Sequence, residues 1–389
     1  MVLTEKQQML RKLFRQFAET EFTDELLDRL EETGEFDRAI HDKMARCGFL
    51  GVKIPVEYGG QGGDSLAYAM MVEEFARVSP VLSIYANTSN SLGAGPLLYC
   101  GTEEQKRNYV IPVAKGEKIL VFALTEPGAG SDAGGTLTSA VQAGDEFILN
   151  GRKTFISGAP FADYAVVYAK TDPSQKGSKG ISMFLVDMKL PGVSCGKPEH
   201  KMGIVGYPTS DIILEDVHVH KSDLLGPLHK GFSTAMKTLD GGRLGMAAQA
   251  VGIAQGCLDA SVKYAKERKQ FGKPINANQG LAWELAEMAT KLDMSRLLVY
   301  RAAWMEQQGL PFSKEASMAK LYATKFGREV VNSALQIHGG YGYMHDYPLE
   351  RMYRDIKITE IYEGSSEIQK VVIANHLIPR PPKKTEKKK

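Results

Sequence analysis

Apolar residues fall at two different spacings along the chain, and the switches between them divide it into three stretches. In the first, EKQQMLRKLFRQFAE (5–19), FDRAIHDKMARCGF (36–49) and SLAYAMMVEEFARV (65–78) repeat an apolar residue every three or four positions. That is the spacing of helices with one buried stripe. The glycine-rich GVKIPVEYGGQGGDS (51–65) predicts a loop ending in a helix cap. From 119 to about 225 the apolar runs are short, rich in Val, Ile, Phe and Tyr, and punctuated by Gly, Asp, Asn and Pro, which predicts an antiparallel sheet or barrel. Helical spacing returns near 231. It predicts a long helix from about Arg243, two more over 279–309 and 313–340, and a last one over 366–378, joined by short loops as in a bundle. The expected fold is α+β and multidomain: an N-terminal α-helical domain (1–118), a middle antiparallel β-barrel-like domain (119–230), a C-terminal four-helix bundle (231–378) and a basic disordered tail (379–389).

Composition narrows the function classes. The 389 residues suffice for two or three cores, and 43% apolar with 24% charged content is ordinary for a soluble protein. The net charge is +2, but the tail PRPPKKTEKKK holds six basic residues and one acid, so the body is net acidic. An acidic body argues against a nucleic-acid partner. Cys47, Cys100, Cys195 and Cys257 are widely separated, which fits free thiols in a reducing compartment better than a disulfide framework or zinc site. The N-terminus is amphipathic rather than signal-like, and no run approaches the roughly 20 apolar residues of a membrane span. The expected setting is cytoplasmic, with no metal and no membrane contact.

Five segments carry candidate chemistry. LTEPGAGSDAGG (124–135) places glycines after a strand as a dinucleotide fingerprint does, but the following TLTSAVQAGDEFILNG alternates like a strand, so no helix N-terminus meets a pyrophosphate. The loop reads equally as a connector and as a set of backbone donors for an anion or ring. GRKTFISGA (151–159) sets an aromatic beside a hydroxyl, suited to a flat heterocycle or to a strand core. ERKQFGKPI (267–275), with Gln279 beyond it, offers Arg268 to a phosphate or to a helix end. In LQIHGGYGYMHDYPLERMYRD (335–355) the glycines stop a helix, and His338 and His345 lack metal-ligand partners. ITEIYEGSSEIQK (358–370) holds Glu363 among apolar neighbours, where burial would raise its pKa toward that of a base working near neutrality. The bland alternative is that Glu363 precedes a capping box formed by Ser366 and Gln369.

Taken in order, LTEPGAGSD, KTFISG, ERKQFGKPI with Gln279, QIHGGYGY, YPLERMYRDIKI and IYEGSSEIQ resemble the acyl-CoA dehydrogenase family of flavoproteins over roughly residues 3–378, most closely its short-chain (butyryl-CoA) members. The resemblance implies FAD between the β-domain and the bundle. It places Phe122, Leu124, Thr125, Gly130 and Ser131 in the strand and loop meeting the flavin and the thioester. Phe155, Ile156 and Ser157 fall beside the isoalloxazine, where many members have Trp and Thr in place of Phe155 and Ser157. Arg268, Phe271, Gln279, Gln336, Gly339 and Gly340 resemble contacts to the ADP half of FAD, several made across a subunit boundary of a homotetramer (a dimer of dimers). Ser365 and Glu367 resemble the remaining ADP-side contacts. Asp240 and Arg243 in LDGGR resemble the CoA-binding pair, and Ser131 and Gly364 also line the substrate. Glu363 matches the catalytic base; a subgroup carries its glutamate instead beside the arginine, a place held here by Gly242.

The implied chemistry is α,β-dehydrogenation of an acyl-CoA thioester to the trans-2-enoyl-CoA. Glu363 takes the α-proton, the β-hydride goes to flavin N5, and an electron-transferring flavoprotein accepts the electrons. Two hydrogen bonds to the thioester carbonyl, one from the base's own N–H, stabilise the developing enolate. The slot near SIYANTSNSLGAG (83–95) has no Arg or Lys to pair with a dicarboxylic acyl group, and an acyl chain of four to six carbons is expected. The same site could run as an enoyl-CoA reductase, including on a cyclic or aryl acyl-CoA. A flavin monooxygenase would need no carboxylate base, so Glu363 argues against it. A non-catalytic acyl-CoA-binding scaffold is the alternative of another class.

Overall fold

The computed structural model describes residues 3–378, so the tail expected to be disordered lies outside the described residues. Five helices open the chain: α1 (Glu5–Glu21), α2 (Asp24–Thr33), α3 (Arg38–Arg46), α4 (Ser65–Ala76) and α5 (Pro80–Thr88). Side-chain caps from Thr4, Thr23, Asp37, Asp64 and Ser79 start them; a cap was expected at the end of the glycine-rich loop, and Asp64 supplies it. Every residue of α4 is buried, including Glu73 and Glu74. Those carboxylates are held by Arg11 and Arg15 of α1 and by Arg296, as buried charges require. A π-helical turn over Ser89–Gly93 leads to three short helices, α6 (Gly95–Cys100), α7 (Glu103–Gln105) and α8 (Ile111–Ala114).

The middle region is one sheet of eight strands: β1 (Leu120–Ala123), β2 (Ser139–Ala143), β3 (Glu146–Ser157), β4 (Tyr164–Lys170), β5 (Ile181–Asp187), β6 (Val193–Cys195), β7 (Thr209–His220) and β8 (Leu224–Leu225). Its order is β6-β7-β3-β2-β4-β5-β8, with β1 added beside β4. The ladders are antiparallel except those β4 makes with β1 and, at one pair, with β2. One face closes over Val121, Leu149, Val167, Phe184 and Ile212. The other packs Tyr168 and Met183 against Leu97, Val113 and Ala235.

The bundle consists of α9 (Gly231–Glu267), α10 (Gln279–Gln307), α11 (Ser313–His338), the short α12 (Leu349–Ile356) and α13 (Ser366–Leu377), with a small hairpin of β9 (Lys269–Gln270) and β10 (Lys273–Pro274) between α9 and α10. Two expectations need correction. α9 begins at Gly231, a dozen residues before Arg243. Gly241 and Gly242 precede the expected start, and each glycine costs a helix about 1 kcal/mol. Both are instead buried within the helix, and packing offsets the propensity. The cap of α13 is Ser365, whose hydroxyl accepts from the Ile368 N–H, rather than Ser366. A single apolar core joins α1, α4 and α5 to α9, α10 and α11 through Phe14, Phe75, Leu82, Val251, Val299 and Val331.

Candidate active site

After a 3₁₀ turn over Lys357–Glu360, the chain turns sharply to reach α13. Glu363 takes φ 53° and Gly364 φ 93°, a left-handed pair that only glycine adopts freely. The turn is held from several sides. Tyr362 donates its hydroxyl to Gln249 Oε1 on α9, and Gln249 Nε2 donates to Pro80 O and Ser83 Oγ of α5, both at 3.0 Å. Lys320 of α11, almost wholly buried, donates Nζ to Tyr362 O and Gly364 O, each at 2.6 Å. Gln369 Nε2 adds a second donor to Gly364 O at 2.7 Å.

The Glu363 carboxylate ends in a buried position where Oε2 has no hydrogen-bond partner among the described residues. Burial pushes its pKa up; the charges of Lys320 and then Arg243 pull the other way. Burial likewise pushes Lys320 down, with Glu363 opposing. A Cβ at Gly242 would lie 2.0 Å from Glu363 Oε2 and 3.2 Å from Leu92 Cδ2. The carboxylate therefore occupies the space a side chain at 242 would take. Next to Gly242 on α9, Arg243 donates to Asp240 Oδ1, one turn back, at 2.6 Å, and Asp240 also accepts from Ser313 at 2.9 Å. Burial raises the Asp240 pKa, against the pull of Arg243. The expected CoA-binding pair is thus an ion pair near Glu363, and Arg243 Nε is buried without a partner among the described residues.

The β-domain brings a second group of residues. The loop 124–138 is tied to β3 by a buried ion pair. Lys153 Nζ donates to Glu126 Oε1 (2.7 Å), Leu124 O (3.1 Å) and Thr136 Oγ1 (3.0 Å), while Glu126 accepts from the Leu137 and Thr138 N–H groups. Burial alone would raise the Glu126 pKa, but Lys153 and these donors hold it at about 2. On this support Phe155 adopts φ 56° with its ring 65% exposed, Ile156 points into the core, and Ser157 shares a hydrogen bond with Thr209. Phe122 packs against Tyr168 at 5.0 Å. Leu124 is buried, Thr125 accepts from the Thr154 N–H, and Gly130 and Ser131 sit exposed on the loop. A side chain at Gly128 or Gly130 would meet nothing within 4 Å. An exposed aromatic ring, an adjacent hydroxyl and an open glycine loop fit a flat ring system such as isoalloxazine.

The residues expected at the ADP half form two separate groups. Arg268, Phe271, Gln279, Gln336, Gly339 and Gly340 gather where α9 ends, α10 begins and α11 ends. There Arg268 lies over the Tyr341 ring at 5.2 Å, Phe271 is 98% exposed with φ 51°, and Gly339 and Gly340 border open space. Ser365 and Glu367 instead border a cleft of about 860 Å³ lined by Leu298, Met318 and Tyr322. Gln336 follows Lys320 by sixteen residues on α11, about 24 Å at 1.5 Å per residue. One protomer does not bring the two groups together.

Three of the six non-glycine residues with positive φ among those described are Phe155, Phe271 and Glu363, in keeping with strain collecting at functional sites. Lys320, Gln249, Glu126 and Lys153 were not singled out from sequence, and Gln369 was read only as a capping-box partner of Ser366. Glu126 and Lys153 do stand inside two of the quoted motifs, where opposite charges on neighbouring apolar strands signal a pair. Lys320 gives no local signal. Among the described residues no His, Cys, Asp and Glu cluster could hold a metal ion, and no helix is long and apolar enough to cross a membrane.

Family models for the N-terminal, middle and C-terminal domains of acyl-CoA dehydrogenases match residues 4–117, 121–217 and 229–378. The chain is 57% identical to the caffeyl-CoA reductase–Etf complex subunit CarC of Acetobacterium woodii and 56% identical to the 3-(aryl)acrylate reductase of Clostridium sporogenes, covering 97% of this chain and 100% of each relative. The solved butyryl-CoA dehydrogenase of Megasphaera elsdenii superposes with a TM-score of 0.94 at 41% identity, covering 97% of this chain and 99% of that one.

Proposed function

From the premise that this chain belongs to the acyl-CoA dehydrogenase family, FAD flavoproteins that oxidise or reduce CH–CH bonds, we propose that Glu363 moves the α-proton between an acyl-CoA and its trans-2-enoyl-CoA. One observation carries this reading: a buried carboxylate with an unpartnered oxygen and a raised pKa, set in the gap left by Gly242. A carboxyl poised near neutrality serves either direction. Ionised, it takes the α-proton of a saturated thioester; protonated, it returns one to the enolate. The Glu363 N–H, on the same tight turn, donates to the thioester oxygen as negative charge develops. Asp240 and Arg243 bind the substrate beside the base. Phe155, Ile156, Ser157 and the loop 124–131 hold the flavin, and Arg268, Phe271, Gln279, Gln336, Gly339 and Gly340 hold its ADP half from a partner protomer of a homotetramer, with Ser365 and Glu367 on the base side. When bound, FAD supplies the two-electron chemistry.

Glu363→Gln keeps the shape of the side chain but cannot accept the proton. It should retain flavin and acyl-CoA binding and lose turnover; a tenth of wild-type activity at saturating substrate would move the base elsewhere. A second reading concerns direction and substrate. Two relatives above 55% identity that match along their whole length are named for caffeyl-CoA and arylacrylate reduction. They favour reduction of an aryl-substituted enoyl-CoA, with an electron-transferring flavoprotein as electron partner, over oxidation of a four- to six-carbon chain. Saturated acyl-CoAs from C4 to C16 with an artificial acceptor, run beside arylacryloyl-CoAs with a reduced donor, separate the two. A kcat/KM peak at C4–C6 supports the short-chain reading, and turnover confined to aryl substrates supports the reductase.

A further inference from the structure

We propose that Lys320 is a positioning residue for the reaction: its ammonium fixes and polarises the peptide that presents the Glu363 N–H, and its charge bears on the Glu363 carboxylate. The proposal rests on the reading of Glu363 given above. Lys320 stands on α11, in a different element from the base, and only about 1% of its surface is exposed. A lysine in such a place must spend its donors within the protein. Two of them go to Tyr362 O and Gly364 O at 2.6 Å, the carbonyls on either side of Glu363.

The geometry has a directional consequence. Every peptide bond in the described chain is trans, so the Tyr362 carbonyl and the Glu363 N–H point in opposite directions across one rigid plane. A cation gripping the carbonyl oxygen turns the N–H away from α11. It also draws electron density toward that oxygen and makes the N–H a stronger donor. The Glu363 N–H has no acceptor among the described residues, so it is free for a ligand. The grip on Gly364 O, shared with Gln369 Nε2, holds the far side of the left-handed turn.

The same ammonium acts on the side chain through charge. The charged groups that bear on the Glu363 carboxylate are Lys320 from α11 and Arg243 from α9, and both favour its ionised form against burial; the buried Tyr68 of α4 and Tyr362 also face it, each with its own pKa raised by burial. Arg243 is already committed to Asp240. Lys320 hydrogen-bonds only to neutral carbonyls and forms no ion pair within 4 Å among the described residues.

The test is Lys320→Met, which keeps most of the side-chain length without donor or charge, with Lys320→Gln as a donor without charge. Met should keep FAD content and oligomeric state. Its kcat should fall about tenfold or more, since a single oxyanion donor contributes at least that much, while KM changes little. The acid limb of kcat in the dehydrogenation direction should move to higher pH, because losing the cation raises the Glu363 pKa further. Gln should share the shift of the limb but recover part of kcat. Binding of acetoacetyl-CoA, whose acidic α-carbon readily gives an enolate, should weaken more than binding of the saturated acyl-CoA. Gln369→Leu, which removes a donor from Gly364 O alone, should leave the limb in place. A folded, flavin-loaded Met variant with wild-type kcat and an unmoved limb overturns the proposal; if Met does not fold, an unmoved limb in Gln does the same. If Glu363→Gln retains turnover, the base reading has failed instead, and the two failures are separable.

Discussion

At the scale of single residues, the site depends on a side chain that is missing. Gly242 lies inside α9, where alanine would ordinarily gain about 1 kcal/mol of helix propensity. Here a Cβ would sit 2.0 Å from Glu363 Oε2, and overpacking of this kind costs about 1–3 kcal/mol. Gly242→Ala should therefore leave the melting temperature nearly unchanged, because the two effects oppose each other. Activity should fall at least about tenfold, since roughly 1.4 kcal/mol of misplacement at the reacting carboxylate has that effect. A thermal melt paired with steady-state kinetics checks both halves. A variant that is stabilised and fully active would mean that the carboxylate does not occupy that space. Glu363 is the complementary case. Its positive φ is strain that the turn accepts because Lys320, Gln369, Tyr362 and the Ser365 cap restrain the residues around it.

Between elements, Asp355 ties the bundle to the β-domain. It is fully buried on α12, its Oδ1 accepts from the Ile204 N–H at 2.5 Å, and Oδ2 has no partner among the described residues. Burial pushes its pKa up to about 7, with the Ile204 N–H, Arg354 and Arg351 pulling down and Glu31 pushing up. In the unfolded chain the group ionises near 3.9. Between these values the folded state binds the extra proton, so stability falls as pH rises, by at most about 1.4 kcal/mol per pH unit, and levels off above about 7. Asp355→Asn keeps the acceptor and removes the titration. Melting curves from pH 4.5 to 8 should lose that decline; an unchanged slope in the variant would exclude Asp355 as its source. This tie also shows what the sequence discloses and what it hides. The periods separate helix from strand, and IYEG, KTFISG and ERKQFG mark their places because each carries its chemistry in consecutive residues. Asp355 and Ile204, or Lys320 and Tyr362, are far apart in the chain and meet only through tertiary packing, so no local pattern announces them. The start of α9 was hidden for a related reason: paired glycines at 241 and 242 disfavour a helix by propensity, and only tertiary packing, with Glu363 in the space beside Gly242, shows why they stand inside one.

For the whole molecule, the far end of the bundle leaves a group of large aromatic residues open to solvent. Phe271, Trp283, Tyr341 and Tyr343 are all substantially exposed there, with Phe271 98% and Trp283 62% open. A concentration of exposed aromatics at one end marks an interaction surface. The residues read as ADP contacts stand among them, about 24 Å along α11 from the base, while Ser365 and Glu367 open onto a cleft on the base's side. On the proposed reading FAD spans both groups within a homotetramer, and one of them would come from a partner. Flavin retention and assembly are then a single property, and Arg268 tests the link. Its guanidinium now lies over the Tyr341 ring, a contact worth about 0.5–1 kcal/mol at an exposed site. A charge-assisted bond to a pyrophosphate would add about 1.5–3 kcal/mol, which is roughly a ten- to hundredfold change in affinity. Arg268→Ala should accordingly release flavin during gel filtration and shift the protein toward smaller oligomers, and added FAD should reverse both changes. The melting temperature of the flavin-free form should stay close to that of flavin-free wild type, because the residue is only partly buried and packs on a surface ring. A variant that runs fully loaded at the wild-type size would place the pyrophosphate elsewhere. One that loses flavin but keeps its assembly would show that the aromatic surface, and not the cofactor, holds the protomers together.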